Sequence, residues 1–203
     1  MSKLENVCVY CGSAPGREPS HAEAARTFGR ILAEENIRLV YGGGSVGLMG
    51  TLARSVLDCG GAVTGIIPQF LEEREQLFAD VTELILTTDM HERKRTMFER
   101  ADAFVALPGG IGTLEEVVEM MTWAQLGQHH KPVLVANLGG FWQPLINLLD
   151  HMRGEGFIRE TSDIRFLEAE SVEDILPSLR TALAGEAENG DRQAAHAETV
   201  RRM

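Results

Sequence analysis

Short apolar runs alternate with longer segments of helical periodicity along most of this chain. The apolar runs predict strands at residues 5–10, 37–41, 62–67, 81–86, 103–107, 132–136 and 164–167. The intervening segments predict helices at residues 20–36, 46–57, from 89 onward, 112–126, 141–152 and 171–183. Because the strands are apolar almost throughout, this alternation predicts an α/β fold, with a mostly parallel sheet covered by helices on both faces. Ligands in such sheets bind at the carboxyl ends of the strands.

Local signals refine these boundaries. Ser20 with Glu23, and Asp89 with Glu92, have the spacing of a capping box and predict two helix starts. Pro68 ends the third predicted strand, and we expect a short turn of helix in the loop that follows it.

The chain has 203 residues and a mass of 22.3 kDa, which suits one domain with a sizeable core. We expect this domain to cover residues 1–184, because the residues beyond are small, polar and aperiodic and predict a disordered tail over 185–203. The formal net charge of -11 argues against a nucleic acid polymer as partner. It does not argue against a single phosphate, which a few local donors can hold.

The sequence has no run of about eighteen apolar residues that could span a membrane, and the N-terminus lacks the apolar run of a signal peptide. Its three cysteines are an odd number and give no disulfide framework. Cys8 and Cys11 have the spacing of a redox pair, but Cys8 lies within an apolar strand. We therefore expect a cytoplasmic protein.

The segment Gly42–Gly47 satisfies the G-x-G-x-x-G pattern of dinucleotide-binding turns. It follows the second predicted strand rather than the first, and the next strand ends at Pro68 without the acid that would bind a ribose. Both features argue against NAD or FAD, and the flanking residues also lack a P-loop signature. The segment is either a ligand-binding turn or a tight structural turn.

A second glycine-rich turn, Pro108–Thr113, leads from an apolar strand into a helix. Its glycines allow a ligand to approach the backbone closely. The helix start offers unpaired N–H groups and a positive dipole end, and Thr113 adds a hydroxyl donor. These features predict a phosphate monoester site, with a purely structural turn as the alternative.

Two cations, Arg93 and Lys94, lie in or beside the apolar stripe between Met90 and Met97. A cation in such a stripe must reach solvent or meet an acid or a ligand. The predicted helix after Thr113 has two faces that need cover. One carries Leu114, Val117, Val118 and Met121, and the other carries Glu116, Met120 and Trp123. Glu116 is either a catalytic carboxylate or a solvated glutamate near a helix start.

At these motifs the sequence resembles the LOG (LONELY GUY) family of cytokinin riboside 5′-monophosphate phosphoribohydrolases, often mislabelled as lysine decarboxylases. Pro108–Glu116 matches the family's P-G-G-x-G-T-x-x-E, and Met90–Lys94 matches its M-H-x-R-K. Cys11–Ser13, Gly42–Gly50 and Thr122–Gly127 match three further runs.

The resemblance covers about residues 4–183 and implies a Rossmann-like homodimer with active sites near the subunit interface. It implies Arg93 and Glu116 as the catalytic residues. The substrate-binding positions that it implies fall in these motifs or in the loop after the third strand: Ser13, Gly43, Gly44, Glu75, Met90, Arg93, Lys94, Gly110, Ile111, Gly112, Thr113, Leu114, Glu115, Glu116 and Thr122.

The implied reaction is hydrolysis of the N-glycosidic bond of a nucleoside 5′-monophosphate, giving free base and ribose 5-phosphate. Glu116 would stabilise the oxocarbenium-like transition state and orient or deprotonate the attacking water. Arg93 could hold Glu116 ionised, bind the ribose hydroxyls or assist the departing base. The base itself, adenine, N6-prenylated adenine or another purine, stays open. No cofactor is expected. No metal is implied either, because His129 and His130 are adjacent, lack ligand spacing and predict a surface turn.

Two other functions compete with this interpretation. A non-catalytic carrier of a nucleotide or of the molybdenum cofactor would need the glycine turns but has no evident use for Arg93 and Glu116 together. A pyridoxal-phosphate lysine decarboxylase would need a lysine placed for a Schiff base, and the sequence shows none so placed.

Overall fold

A computed structural model describes residues 3–71, 76–158 and 164–186 of the chain. Within these residues the chain forms a sheet of seven strands in the order β4-β3-β2-β1-β5-β6-β7, and every neighbouring pair is parallel. The strands are β1 Asn6–Tyr10, β2 Arg38–Tyr41, β3 Val63–Pro68, β4 Glu83–Thr87, β5 Ala103–Ala106, β6 Val133–Ala136 and β7 Leu167–Ala169. The predicted parallel α/β fold is confirmed.

Helices cover both faces of the sheet. They are α1 Pro19–Glu34, α2 Gly47–Asp58, α3 Met90–Arg100, α4 Ile111–Gln125, α5 Gln143–Gly154 and α6 over residues 175–186. The apolar sides of α1, α2 and α6 pack against one face and form the first core cluster. Those of α3, α4 and α5 pack against the other face and form the second core cluster. The predicted helical turn after Pro68 is confirmed as a 3-10 helix at Gln69–Leu71.

β1 occupies the position where the strand order reverses. The chain leaves β1 through α1 toward β2 on one side, and it returns from β4 through α3 to β5 on the other. The loops after β1 and β5 therefore meet, and the Gly12 N–H donates to the Pro108 carbonyl at 3.1 Å. Such a switch point is where ligands bind in open α/β sheets.

The predicted capping box at Ser20 and Glu23 is wrong. α1 begins at Pro19, with Glu18 as its N-cap residue and no side-chain cap bond. Proline suits the first helical position because it fixes φ and has no N–H to satisfy. Glu23 instead forms an exposed ion pair with Arg26 at 3.0 Å.

The last strand lies later than the predicted 164–167. β7 pairs with β6 from Leu167 onward, whereas Ile164 and Phe166 pack on the second core cluster. The last helix begins at residue 175 rather than 171 and includes Gly185. Most of the predicted tail, residues 187–203, lies outside the described residues.

Candidate active site

The first glycine turn lies between β2 and α2 and is held by backbone bonds on two sides. The Ser45 N–H donates to the Gln76 carbonyl at 2.9 Å, and the Phe78 N–H donates to the Gly43 carbonyl at 3.0 Å. Gly43 has a φ of +81° and lies against Ile67, so this buried position requires glycine for the turn itself.

The backbone N–H groups at the N-terminus of α2 already have an acceptor within the protein. The carbonyl of Gly12 accepts from the Leu48 N–H at 2.9 Å and from the Met49 N–H at 3.3 Å. The groups that would bind an anion in a dinucleotide fold are therefore already used by the loop after β1. This geometry favours the structural interpretation of the Gly42–Gly47 segment, whose Gly43 and Gly44 are buried.

The N-terminus of α4 is open by comparison. Gly110 is the N-cap residue and supplies no side-chain cap. Among the described residues, no acceptor takes the backbone N–H groups of Ile111, Gly112 or Thr113. A Cβ at Gly110 or Gly112 would meet no described atom within 4 Å, so space is left for a ligand above this turn. Three free donors and a positive dipole end suit an anion.

α3 brings Arg93 to the same edge of the sheet. Asp89 caps the helix as predicted, with its Oδ1 accepting from the Glu92 N–H at 2.8 Å. Arg93 is only 5% exposed, and it donates through Nε to the Ile66 carbonyl at 3.2 Å and through Nη2 to the Gly42 carbonyl at 3.1 Å. The guanidinium is thus anchored to the carboxyl ends of β2 and β3.

The remaining terminal nitrogen of Arg93 faces Glu116 on α4. Its Nη1 lies 4.0 Å from Glu116 Oε1, and the two side chains are 6% and 13% exposed. Glu116 is therefore a shielded carboxylate beside a fixed cation, not a solvated surface glutamate. Separating such a pair would leave a buried charge uncompensated.

The Tyr10 hydroxyl and the Cys8 and Cys11 thiols near Glu116 are kept protonated. Burial raises the pKa of Tyr10 well above its ordinary value, with the neighbouring Cys8 and the Glu116 charge raising it further. Burial also raises the pKa of Cys8 and of Cys11, and the Glu116 charge adds to both shifts. Cys8 belongs to the second core cluster and Cys11 to the first, so the thiols lie on opposite faces of the sheet. Such thiols do not suit a redox pair.

Lys94 is also near this edge, but its charge is already paired. Its Nζ lies 2.7 Å from Glu115 Oε1 and 3.0 Å from Glu119 Oε1, both on α4. Sequence reasoning did not single out Glu119 or Tyr10. The spacing of Glu119 from Glu115, one helical turn, was the available signal for it.

The other predicted site residues are spread around this pair. Met90 Sδ lies 3.8 Å from Arg93 Nη1, and Leu114 lies one turn into α4. Ser13 is exposed in the loop after β1. Thr122 donates to the Val118 carbonyl at 2.7 Å, about 16 Å along α4 from Ile111, so it does not reach the glycine turn of its own chain. Glu75 lies outside the described residues.

The predicted surface turn at His129 and His130 is wrong for His129, which is 7% exposed. Its Nδ1 accepts from the Lys131 N–H at 3.1 Å, and its Nε2 lies 3.0 Å from the Met120 carbonyl. Both ring nitrogens are used by the backbone, which leaves none for a metal. Across the described ranges, no group of three or more histidine, cysteine, aspartate or glutamate side chains has the geometry to hold a metal ion.

Fold and site together define a Rossmann-like α/β protein whose anion-accepting helix N-terminus adjoins a buried arginine–glutamate pair. The family model described as "Possible lysine decarboxylase" matches residues 49–179. A cytokinin riboside 5′-monophosphate phosphoribohydrolase of Oryza sativa subsp. japonica is 47% identical, over 88% of this chain and 74% of the relative. The phosphoribohydrolase of the same name from Rhodococcoides fascians is 43% identical, over 87% of this chain and 90% of the relative. The chain therefore belongs to the LOG family.

A solved structure, the molybdenum cofactor binding protein of Rippkaea orientalis, shares the fold with a TM-score of 0.66 at 22% identity, over 90% of this chain and 99% of that chain. At that identity the likeness concerns the architecture alone. Within the part of the chain that the structure describes, no helix is both long and apolar enough to cross a membrane.

Proposed function

We propose that this chain hydrolyses the N-glycosidic bond of nucleoside 5′-monophosphates, releasing the free base and ribose 5-phosphate. The relatives from Oryza sativa and Rhodococcoides fascians are named for this activity. The observation that carries the proposal is the unoccupied N-terminus of α4 beside the buried Arg93–Glu116 pair. A phosphate and a developing sugar cation need these two features side by side.

The 5′-phosphate binds at Gly110–Thr113, where the backbone N–H groups of 111–113 donate to its oxygens. Holding the phosphate fixes the ribose relative to α4. Glu116 follows about one and a half turns into the helix, at roughly 7 Å of rise from Ile111. That separation is comparable to the span from the phosphate to the anomeric carbon, so binding energy at the phosphate orients the reacting carbon.

Glu116 stabilises the positive charge that develops on the ribosyl ring as the base departs. It also orients the attacking water and accepts its proton. Low exposure strengthens the interaction between the carboxylate and the ring, because little solvent screens it.

Arg93 holds Glu116 in its ionised form and fixes its position. This role fits the contacts best, since Nε and Nη2 are engaged by the Ile66 and Gly42 carbonyls and Nη1 faces the carboxylate. We therefore favour it over a role for Arg93 in binding the ribose hydroxyls or in assisting the base.

The remaining positions suggested by the resemblance support the substrate from around the pair. Met90, Leu114 and Glu115 border it on α3 and α4. Ser13 contributes from the loop after β1, and we keep Glu75 as a proposed substrate contact on the resemblance alone. Gly43 and Gly44 act by shaping the turn that receives Arg93 at Gly42.

We also propose that two copies of the chain form the functional unit. Ile111 and Val118 on α4, Phe141 just before α5 and Leu148 on α5 are exposed. Three of them, Ile111, Phe141 and Leu148, line an apolar groove of about 390 Å³. Burying this surface against a second copy would remove it from water. Thr122 lies one turn beyond Val118 on the same side of α4, so such a dimer would place it at the interface.

The chain has no lysine, among those described, that is placed for lysine decarboxylase chemistry. Lys3 is exposed and paired with Glu5, Lys94 is held by two carboxylates, and the Lys131 ammonium donates to the Phe98 carbonyl. None of these amines lies at the glycine turns to form a Schiff base.

We place the enzyme in the cytoplasm, since its buried cysteines are free thiols.

Incubation with AMP and with N6-prenylated AMP, followed by detection of base and ribose 5-phosphate, tests the activity. Stoichiometric release of both products supports the proposal, and binding of either nucleotide without release would favour a carrier. The ratio of the two rates identifies the preferred base.

A further inference from the structure

We infer that Lys94 is a positioning residue: by bridging Glu115 and Glu119 it ties α3 to α4 and so sets the separation between Arg93 and Glu116. The inference rests on the proposed function for its kinetic consequences. It assigns to Lys94 and Glu119 a role that differs from direct contact with the substrate.

The contacts of the bridge are short, and the bridge is shielded at Lys94 and Glu119 but open to solvent at Glu115, whose side chain is 53% exposed. Lys94 Nζ lies 2.7 Å from Glu115 Oε1 and 3.0 Å from Glu119 Oε1, and the lysine side chain is 14% exposed. Glu119 is 23% exposed, and its Oε2 is buried with no hydrogen-bond partner among the described residues. Lys94 is therefore the cation that pairs with Glu119, and a partly shielded pair of this kind is less weakened by solvent than a surface ion pair.

The local charge does not suit a phosphate ligand. One ammonium and two carboxylates give the cluster a net charge of −1. A phosphate approaching Lys94 would meet the two carboxylates that already surround it, whereas the N-terminus of α4 offers donors without nearby anions bonded to them. Lys94 thus has its partners within the protein.

The bridge joins the two helices that carry the catalytic pair. Lys94 directly follows Arg93 on α3, and Glu115 directly precedes Glu116 on α4. At the far ends of the helices, Phe98 and Trp123 pack edge to face with centroids 5.3 Å apart. Three contacts therefore join α3 and α4 in order along the helices: the Arg93–Glu116 pair, the Lys94 bridge and the Phe98–Trp123 ring contact. The bridge lies between the other two.

Arg93 cannot set this separation by itself. Its guanidinium is fixed to the Ile66 and Gly42 carbonyls of the sheet edge. The 4.0 Å distance between Arg93 Nη1 and Glu116 Oε1 therefore depends on where α4 lies. Lys94 is the cation that draws α4 toward α3 at this level.

The test uses a charge-matched pair of changes. Lys94→Met combined with Glu119→Gln removes the bridge but leaves the net charge of the cluster unchanged and no buried ion unpaired. We expect kcat for AMP to fall about 10- to 100-fold, since small misplacements of a catalytic group cost on that order, while KM changes less than about 3-fold. Glu119→Gln alone should also lower kcat. Lys94→Arg should keep most of the kcat of the unmodified enzyme. Arg95→Met, at an exposed neighbouring position on α3, is the control and should match the unmodified enzyme.

A large rise in KM with kcat retained in the double variant would overturn the inference in favour of direct substrate contact, as would unchanged kinetics in Glu119→Gln. A crystal structure of the double variant gives a readout that does not require turnover. We expect the Arg93 Nη1–Glu116 Oε1 distance to exceed 4.0 Å; an unchanged distance would overturn the bridge's role. Absence of base release by the unmodified enzyme would instead overturn the proposed function, with the structural readout still deciding the bridge.

Discussion

Arg93 and Glu116 face each other 4.0 Å apart at the edge of the sheet, and both side chains are almost fully shielded from water. The arginine comes from α3 and the glutamate from α4, so the pair forms only when the sheet places these helices side by side. Arg93 is also bonded to the ends of two strands. The pair therefore links the integrity of the fold to the chemistry of the site.

Replacing the arginine tests this link. Arg93→Met removes the hydrogen bonds to the Ile66 and Gly42 carbonyls and leaves Glu116 shielded without its cation. We expect a loss of about 3–5 kcal/mol in the free energy of unfolding together with loss of turnover. Urea denaturation and an AMP assay measure both. Arg95→Met, on the exposed side of α3, is the matched control, and equal stability of the two variants would contradict the anchoring role.

Substituting glycines of the second turn should distinguish an effect on phosphate binding from an effect on stability. Gly112 lies in the first turn of α4 with open space around its Cβ position. Gly112→Ala should keep or raise stability, by up to about 1 kcal/mol, while weakening ribose 5-phosphate binding about 10-fold or more, because the methyl group enters the space proposed for the phosphate. Calorimetric titration measures this. Unchanged affinity would remove the phosphate from this turn.

Gly109 provides the contrast. A Cβ there would collide with the Thr113 side chain. Gly109→Ala should therefore lower the melting temperature, whereas Gly112→Ala should not. Thermal denaturation of the two variants under identical conditions checks the difference, and equal melting temperatures would show that the turn is less closely packed than described.

The pH dependence of stability should include a contribution from His129. Burial lowers the pKa of this imidazole below its ordinary value of 6.5, and the nearby Lys131 and His130 charges lower it further, against the bonds to the backbone. The unfolded chain therefore binds a proton more readily than the folded one. The stability that the neutral ring contributes is complete above about pH 6.5 and is lost as the pH falls through the folded-state value.

Denaturation curves between pH 7.5 and about 5 measure this loss. His129→Gln should show a weaker decline than the unmodified protein, since Gln does not titrate. His151→Gln, at an exposed position on α5, should keep the original slope, because His151 is not among the groups that shift the pKa of His129. If both variants lost stability in parallel with the unmodified protein, His129 would not be responsible.

The exposed apolar residues on α4, on α5 and just before α5 predict the effect of a charge placed among them. Val118 is 37% exposed on this surface. Val118→Glu should convert a dimer to monomers, because the carboxylate would be buried without a partner. Sedimentation velocity measures the change, with Val118→Ala as the control that retains the dimer. A monomer at all concentrations in the unmodified protein would contradict the proposed assembly.

The sheet and most helices could be predicted from the sequence because apolar periodicity dictates which residues must be buried. The errors occur where that signal is short or ambiguous. Ile164 and Phe166 are apolar at strand spacing, yet they pack on the second core cluster while β7 begins at Leu167. A polar residue in an apparent loop, His129, is buried because two backbone groups satisfy its ring.

The candidate site could be predicted only in part for a similar reason. The open N-terminus of α4 follows from local glycine spacing. In contrast, the occupation of the α2 N-terminus by the Gly12 carbonyl depends on how two distant loops meet. The pairing of Lys94 with Glu119 likewise depends on the spacing between α3 and α4, which no local pattern records.

Base release from AMP by the Glu116→Gln variant is the most direct measurement. The substitution preserves the size of the side chain and removes its charge, so the phosphate site at α4 should stay intact. We predict that the variant binds ribose 5-phosphate like the unmodified enzyme but releases adenine at least about 100-fold more slowly, a loss of roughly 2.7 kcal/mol in transition-state stabilisation. Near-normal adenine release by a variant that is folded and binds ribose 5-phosphate would contradict the account.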